Sequence, residues 1–141
     1  MKVMVFVQMD PKDETGAMPS EELLAAMGAY NEELVKAGIM LDVGGLTPTS
    51  EGTRVAFHGG TTSVVDGPFT ESKEIVVGYW VWEVGSLEEA VEWARRCPSD
   101  PNDTTTSWLE IRPCASLEEF REAFEDQEAK LAEQLRSQQQ A

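Results

Sequence analysis

Apolar and polar positions alternate along this chain so regularly that its elements can be read in order. Val3, Val5 and Val7 interleave with Met4 and Phe6 in a short, wholly apolar run, the pattern of a strand buried on both faces and therefore central. A polar stretch from Asp10 to Pro19 breaks it. Ser20 then precedes Glu21 and Glu22, whose carboxylates favour the positive end of a helix, and the spacing predicts a helix to about Ala37. Leu23, Met27, Tyr30 and Leu34 form its inward stripe, and Gly38 is a natural stop.

Ile39 to Leu46 reads as a strand that bends or bulges near its end, where Gly44 and Gly45 interrupt the apolar run. Thr53 to His58 and Thr61 to Asp66 flank Gly59-Gly60, whose backbone can take the positive φ angles of a tight hairpin turn. Pairing His58 with Thr61 sets Phe57 opposite Thr62, Val55 opposite Val64 and Thr53 opposite Asp66, all on one apolar face. His58 points to the other face, where a solvated imidazole is the ordinary outcome. Asp66 ends the apolar face, so its carboxylate needs hydrogen-bond donors or a raised pKa.

Ile75 to Val84 is the longest strand candidate and is apolar on both faces, which makes it central. Ser86-Leu87-Glu88-Glu89 is a capping box opening a second helix, with Leu87, Ala90, Val91 and Ala94 inward and Cys97-Pro98 at its end. Trp108 to Arg112 is the last strand, and Ser116 to Glu119 reads as a second capping box before a charged helix running toward Gln138. Leu117, Phe120, Phe124, Leu131 and Leu135 are its sparse apolar residues, expected to pack at its start and fray into solvent at its end. The order strand, helix, strand, hairpin, strand, helix, strand is that of an α+β, ferredoxin-like split βαβ sheet with both helices on one face. Residues 1–115 then make one domain and 116–141 an appended acidic helix and tail. The second sheet face needs a cover, and Trp80, Trp82, Val84 and the hairpin's apolar face are the candidates to meet a second copy in a homodimer.

Charge narrows the partners. With 26 acidic against 11 basic residues, the net charge of −15 repels nucleic-acid phosphates and anionic membrane surfaces alike. No run approaches the roughly 20 apolar residues of a membrane span, and Met1 to Met9 is too short for a signal peptide, so a cytoplasmic location is expected. Cys97 and Cys114 form no metal spacing and no CxxC pair, and read as free structural thiols. A single histidine and no cysteine cluster point to no metal, and scattered glycines without a phosphate loop point to no nucleotide cofactor.

The densest unusual segment runs from Asp66 to Glu74. Asp66 can accept hydrogen bonds from the backbone that follows, Gly67 permits a positive φ and Pro68 fixes the next one, so the plainest reading is a rigid turn with Phe69 plugging the core edge. The functional reading makes Asp66, Phe69, Glu71, Lys73 and Glu74 the mouth of a pocket, with Tyr79 and Tyr30 supplying hydroxyls.

These residues carry a resemblance. Asp66-Gly67-Pro68-Phe69, then Glu71, Lys73-Glu74 and Gly78-Tyr79, resemble the signature of DGPF-domain, YCII-related proteins. Met27 and Tyr30, Glu33 to Gly38, Gly45-Leu46 with Pro48, Glu89-Ala90 with Glu92-Trp93-Ala94 and Cys97-Pro98, and Glu110 to Pro113 agree in the same order. The resemblance spans Met1 to Cys114 and implies a dimeric α+β barrel. It implies no settled activity, although an association of some members with sigma factors hints at a regulatory or accessory role. In the wider superfamily a histidine on the first helix pairs with an aspartate. The matching helix position here is Met27, whose thioether cannot shuttle protons, and Asp42 is what remains of the pair.

Three readings follow. The first is a small-molecule-binding or regulatory homodimer with a cleft lined by Met27, Tyr30, Asp42, Asp66 and Tyr79. The second is an enzyme of lyase or isomerase type acting on a small aromatic or carbonyl compound, with Asp66 or Asp42 as base and a tyrosine such as Tyr30 as acid. The third is an interaction subunit whose C-terminal helix docks on a basic protein partner such as a sigma factor domain.

Overall fold

The computed structural model describes residues 1–15 and 18–140, in the order β1 (Lys2–Met9), α1 (Glu21–Lys36), β2 (Met40–Gly45), β3 (Thr53–His58), β4 (Thr61–Asp66), β5 (Ile75–Glu83), α2 (Leu87–Arg95), β6 (Ser107–Pro113) and α3 (Arg121–Gln140). Short 3-10 turns at Pro11–Asp13, Thr49–Glu51 and Leu117–Phe120 join them. β2, β5, β1 and β6 lie side by side in that order in one antiparallel sheet, while β3 and β4 form a separate two-stranded hairpin. This is the α+β, ferredoxin-like arrangement, with β1 and β5, the strands apolar on both faces, in the middle as the pattern predicts.

The core fills the space between the sheet and the helices. Val3 and Val5 of β1 stand beside Trp82 and Trp80 of β5, and Tyr30, Leu34 and Ala90 pack onto them from α1 and α2. Leu34 and Trp82 are fully buried, each such side chain contributing roughly 1.5–3 kcal/mol by removal from water. Trp80, Trp82 and Val84 therefore belong to the helix-covered face, not to the second surface where the sequence pattern set them. The physical reason is that β5 is apolar on both faces, so alternation alone cannot orient it. Register puts Met4, Phe6, Tyr79 and Val81 on the opposite face, where they stay partly exposed.

Helix ends follow the capping chemistry unequally. Ser20 Oγ accepts from the Leu23 N–H at 3.1 Å, and Ser86 Oγ from the Glu89 N–H at 3.1 Å, while the Glu89 carboxylate turns back to the Gly85 N–H at 2.7 Å. The second capping box does not form. Ser116 makes no side-chain cap, residues Leu117–Phe120 wind as a 3-10 turn, and α3 begins only at Arg121. None of the described residues of α3 is buried, so the packed start expected for this helix is absent from Arg121 onward; the side chains of Leu117 and Phe120 lie outside the described residues.

The hairpin register matches the arithmetic, with Thr53 opposite Asp66 and His58 opposite Thr61. Gly59 and Gly60 sit at φ of 56° and 82°. Both strands are exposed along their whole length. The irregularity of β2 falls at Leu41, between Met40 and Asp42, and not at the glycine pair.

Candidate functional site

A cavity of about 620 Å³ opens on the helix side of the sheet, between the first turns of α1 and the ends of β1 and β6. Alternation on the strands builds its floor, because Val7, Trp80 and Leu109 point to the same side as the core. Leu23 and Met27, four residues apart on α1, form one wall. Ala94, Cys97 and Trp108 close the other, and Asp13, Asp100 and Asp103 stand among its lining with Thr105.

Neighbouring contacts hold these elements still. The Tyr30 hydroxyl donates to the Trp93 carbonyl at 2.6 Å, tying α1 to α2, and its ring meets Trp80 edge-on at 6.0 Å between centroids. Trp80 Nε1 in turn donates to Asn31 Oδ1 at 3.0 Å, so the indole on the cavity floor is fixed from both sides. Burial, reinforced by the Cys97 sulfur, pushes the Tyr30 phenol well above its ordinary range. Burial likewise raises the Cys97 thiol, which keeps it protonated and poorly nucleophilic. Two hydrogen bonds from Thr105 hold the Asp103 carboxyl below its ordinary range, and so ionised.

The structure distributes the sequence-predicted site residues. Met27 lines the cavity, whereas Tyr30 is buried in the core with its hydroxyl engaged. Asp42 is exposed on β2 and accepts from the Val43 N–H at 2.8 Å. It shares the open sheet face with Tyr79, so the sheet itself separates these two from Met27 and Tyr30. Asp66 is exposed at the end of β4 and accepts from Thr53 Oγ1 at 3.2 Å. Glu71, Lys73 and Glu74 are also exposed, and none of them is among the residues lining the cavity at Met27.

The turn beginning at Asp66 is docked, not free. Gly67 donates its N–H to the Gly52 carbonyl at 2.9 Å, and a Cβ there would collide with the Thr49 carbonyl. The peptide joining Gly67 to Pro68 is cis. Thr49 in turn gives its hydroxyl and its N–H to the Glu14 carboxylate, at 2.6 and 3.1 Å. Phe69 lies under the Arg54 guanidinium at 3.9 Å, and Arg54 also donates to Ser72 Oγ at 2.9 Å. Arg54, Phe69 and Glu71 border a separate hollow of about 410 Å³ on the outer side of this turn.

Sequence reasoning passed over Glu14 and most of the cavity lining. Glu14 sits in the polar stretch that reads only as a break. Asp100 and Asp103 do carry a local signal, because Asp followed two residues later by a turn N–H is an Asx-turn pattern: Asp100 accepts from Asn102 at 2.9 Å and Asp103 from Thr105 at 2.9 Å.

The family model described as YCII-related domain matches residues 1–107. An uncharacterised protein of Rhizobium meliloti is 36% identical over 95 residues, covering 67% of this chain and 75% of that protein.

Proposed function

This chain belongs to the YCII-related domain family, and we propose that it is a small-molecule-binding protein whose ligand enters the cavity between α1 and β6. The observation that carries this reading is the cavity itself: about 620 Å³, within the range of ligand sites, with an apolar floor and a few polar groups on one side. Nothing in it calls for turnover. By the family resemblance Met27 stands where the wider superfamily has its histidine, and the one thiol among the lining residues, Cys97, is held neutral by burial.

Dimerisation through the open sheet face completes the proposal. Met4, Phe6, Tyr79 and Val81 are partly exposed there, and the hairpin adds Val55, Phe57 and Val64, exposed by 53%, 79% and 69%. A second copy is the natural cover for an apolar surface of this kind. Phe6→Lys should leave the fold intact and give a monomer by sedimentation equilibrium.

A thermal-shift screen of a metabolite library tests the cavity, run on the wild type and on Met27→Trp, which fills it. Compounds that stabilise the wild type and not the filled variant support the reading. Compounds that stabilise both equally bind elsewhere, and the cavity then has no ligand role.

A further inference from the structure

The cavity's lining is uneven in one respect that bears on what it binds. Three carboxylates, Asp13, Asp100 and Asp103, stand around it, and among its described lining residues there is no lysine, arginine or histidine. Among the cations next to lining residues along the chain, Lys12 faces a neighbouring hollow and lies 4.0 Å from Asp10, and Arg96 stacks on Trp93 and pairs with Glu33 at 3.2 Å. The remaining walls are apolar and polarisable: Met9, Met18 and Met27, with the indole of Trp80.

From this arrangement we infer that the cavity takes an organic cation, a ligand with an apolar body and one diffuse positive charge. This rests on the reading of the cavity as the binding site and adds the class of ligand. Carboxylates around an apolar cavity attract a cation and repel an anion, and the chain's net charge of −15 adds to both effects. An inorganic ion fits less well. Among the described residues no three acidic, histidine or cysteine side chains converge to hold a metal, and a hard cation demands several oxygens at once. A weakly hydrated organic cation needs no such convergence. Its charge can sit among the carboxylates while its body lies on methionine and tryptophan, whose ring faces also attract cations.

Calorimetry on the full chain with three matched probes tests the inference: phenylpropyl-trimethylammonium, its neutral carbon isostere, and phenylbutyrate. The cation should bind at least about tenfold more tightly than the isostere, with the anion weakest. The double substitution Asp100→Asn with Asp103→Asn should bring the cation down to the isostere's affinity and leave the isostere unchanged, with an unaltered melting temperature showing that the fold survives. Equal binding of cation and isostere, both blocked by Met27→Trp, would overturn the charge preference and leave the cavity reading standing. A cation preference that survives the double substitution would also overturn it, since the charge would be felt elsewhere. Failure of all three probes would overturn it as well, and if the metabolite screen is equally silent the cavity reading fails with it.

Discussion

The ring of Tyr79 sits over Gly44, so close that a Cβ built on residue 44 would lie 2.6 Å from a ring carbon and 2.8 Å from the hydroxyl oxygen. The two residues face each other across β2 and β5, and β2 is an edge strand. A glycine there weakens the strand, and a cross-strand aromatic ring covers the exposed backbone in compensation. Gly44→Ala should therefore destabilise the protein by about 1–3 kcal/mol, because the ring must leave its seat. Pairing it with Tyr79→Ala should recover part of that loss. A double-mutant cycle by urea denaturation reads the coupling, and strictly additive effects would show that the two residues do not interact.

Gly67 and its neighbour Asp66 should respond very differently to substitution. Gly67 abuts the Thr49 carbonyl with no room for a side chain, and that carbonyl belongs to a turn already held by Glu14. Gly67→Ala should cost about 2–4 kcal/mol, since backbone and not a flexible side chain must move. Asp66→Asn, at an exposed position with one hydrogen bond of 3.2 Å, should stay within about 0.5 kcal/mol. Equal costs at the two positions would mean that the Asp66 carboxylate, and not the glycine, secures the turn.

Much of this fold is legible in the chain because each strand carries its own alternation and each of the first two helices its own cap. The hairpin is the clearest instance: two glycines set the turn, and register then follows by counting from His58 and Thr61. Orientation of the sheet was not legible, since Trp80 and Trp82 are balanced on β5 by Val77, Tyr79 and Val81. Only packing decides which set meets α1 and α2. The cavity was legible at Met27 alone, because its lining is contributed a few residues at a time by β1, α1, β5, α2, β6 and the segments before α1 and after α2. No local motif joins Leu23 to Leu109. The conspicuous motif beginning at Asp66 turned out to mark a backbone contact, which is the kind of constraint a glycine followed by proline can record.

Tyr30 should make the protein sensitive to alkali. Its neutral phenol donates to the Trp93 carbonyl in the core, so its folded pKa is raised above the unfolded value of about 10. The folded state then holds the proton more tightly than the unfolded chain. The resulting stability is complete below about pH 10 and is lost as pH rises through the folded value. Tyr30→Phe should cost about 1–2 kcal/mol at neutral pH by leaving a carbonyl without its donor. Above about pH 10 the gap between the two proteins should close, because the unfolded wild type gains by ionising its exposed phenol while the folded protein keeps the proton, a difference the variant lacks. Urea denaturation at neutral and alkaline pH measures the gap directly. A constant gap would mean that the hydroxyl is not buried as a donor.

The C-terminal helix should contribute almost nothing to the stability of the rest of the chain. Phe124, Leu131 and Leu135 are exposed by 46%, 56% and 51%, and no described residue of α3 is buried. Its ion pairs, such as Arg121 with Glu125 at 2.9 Å and Arg136 with Glu133 at 2.8 Å, lie within the helix and in solvent, where they count for little. A helix with no buried residue forgoes the tertiary packing from which most helical stability in proteins comes. Its amides should accordingly exchange with deuterium far faster than those of β1 and β5. Truncation after Ala115 should move the unfolding free energy by less than about 1 kcal/mol. Slow exchange in Arg121–Gln140, or a larger loss on truncation, would show that the Phe124, Leu131 and Leu135 stripe is covered in solution. Slow exchange that disappears on dilution would place that cover on a second copy, since only an intermolecular contact depends on concentration.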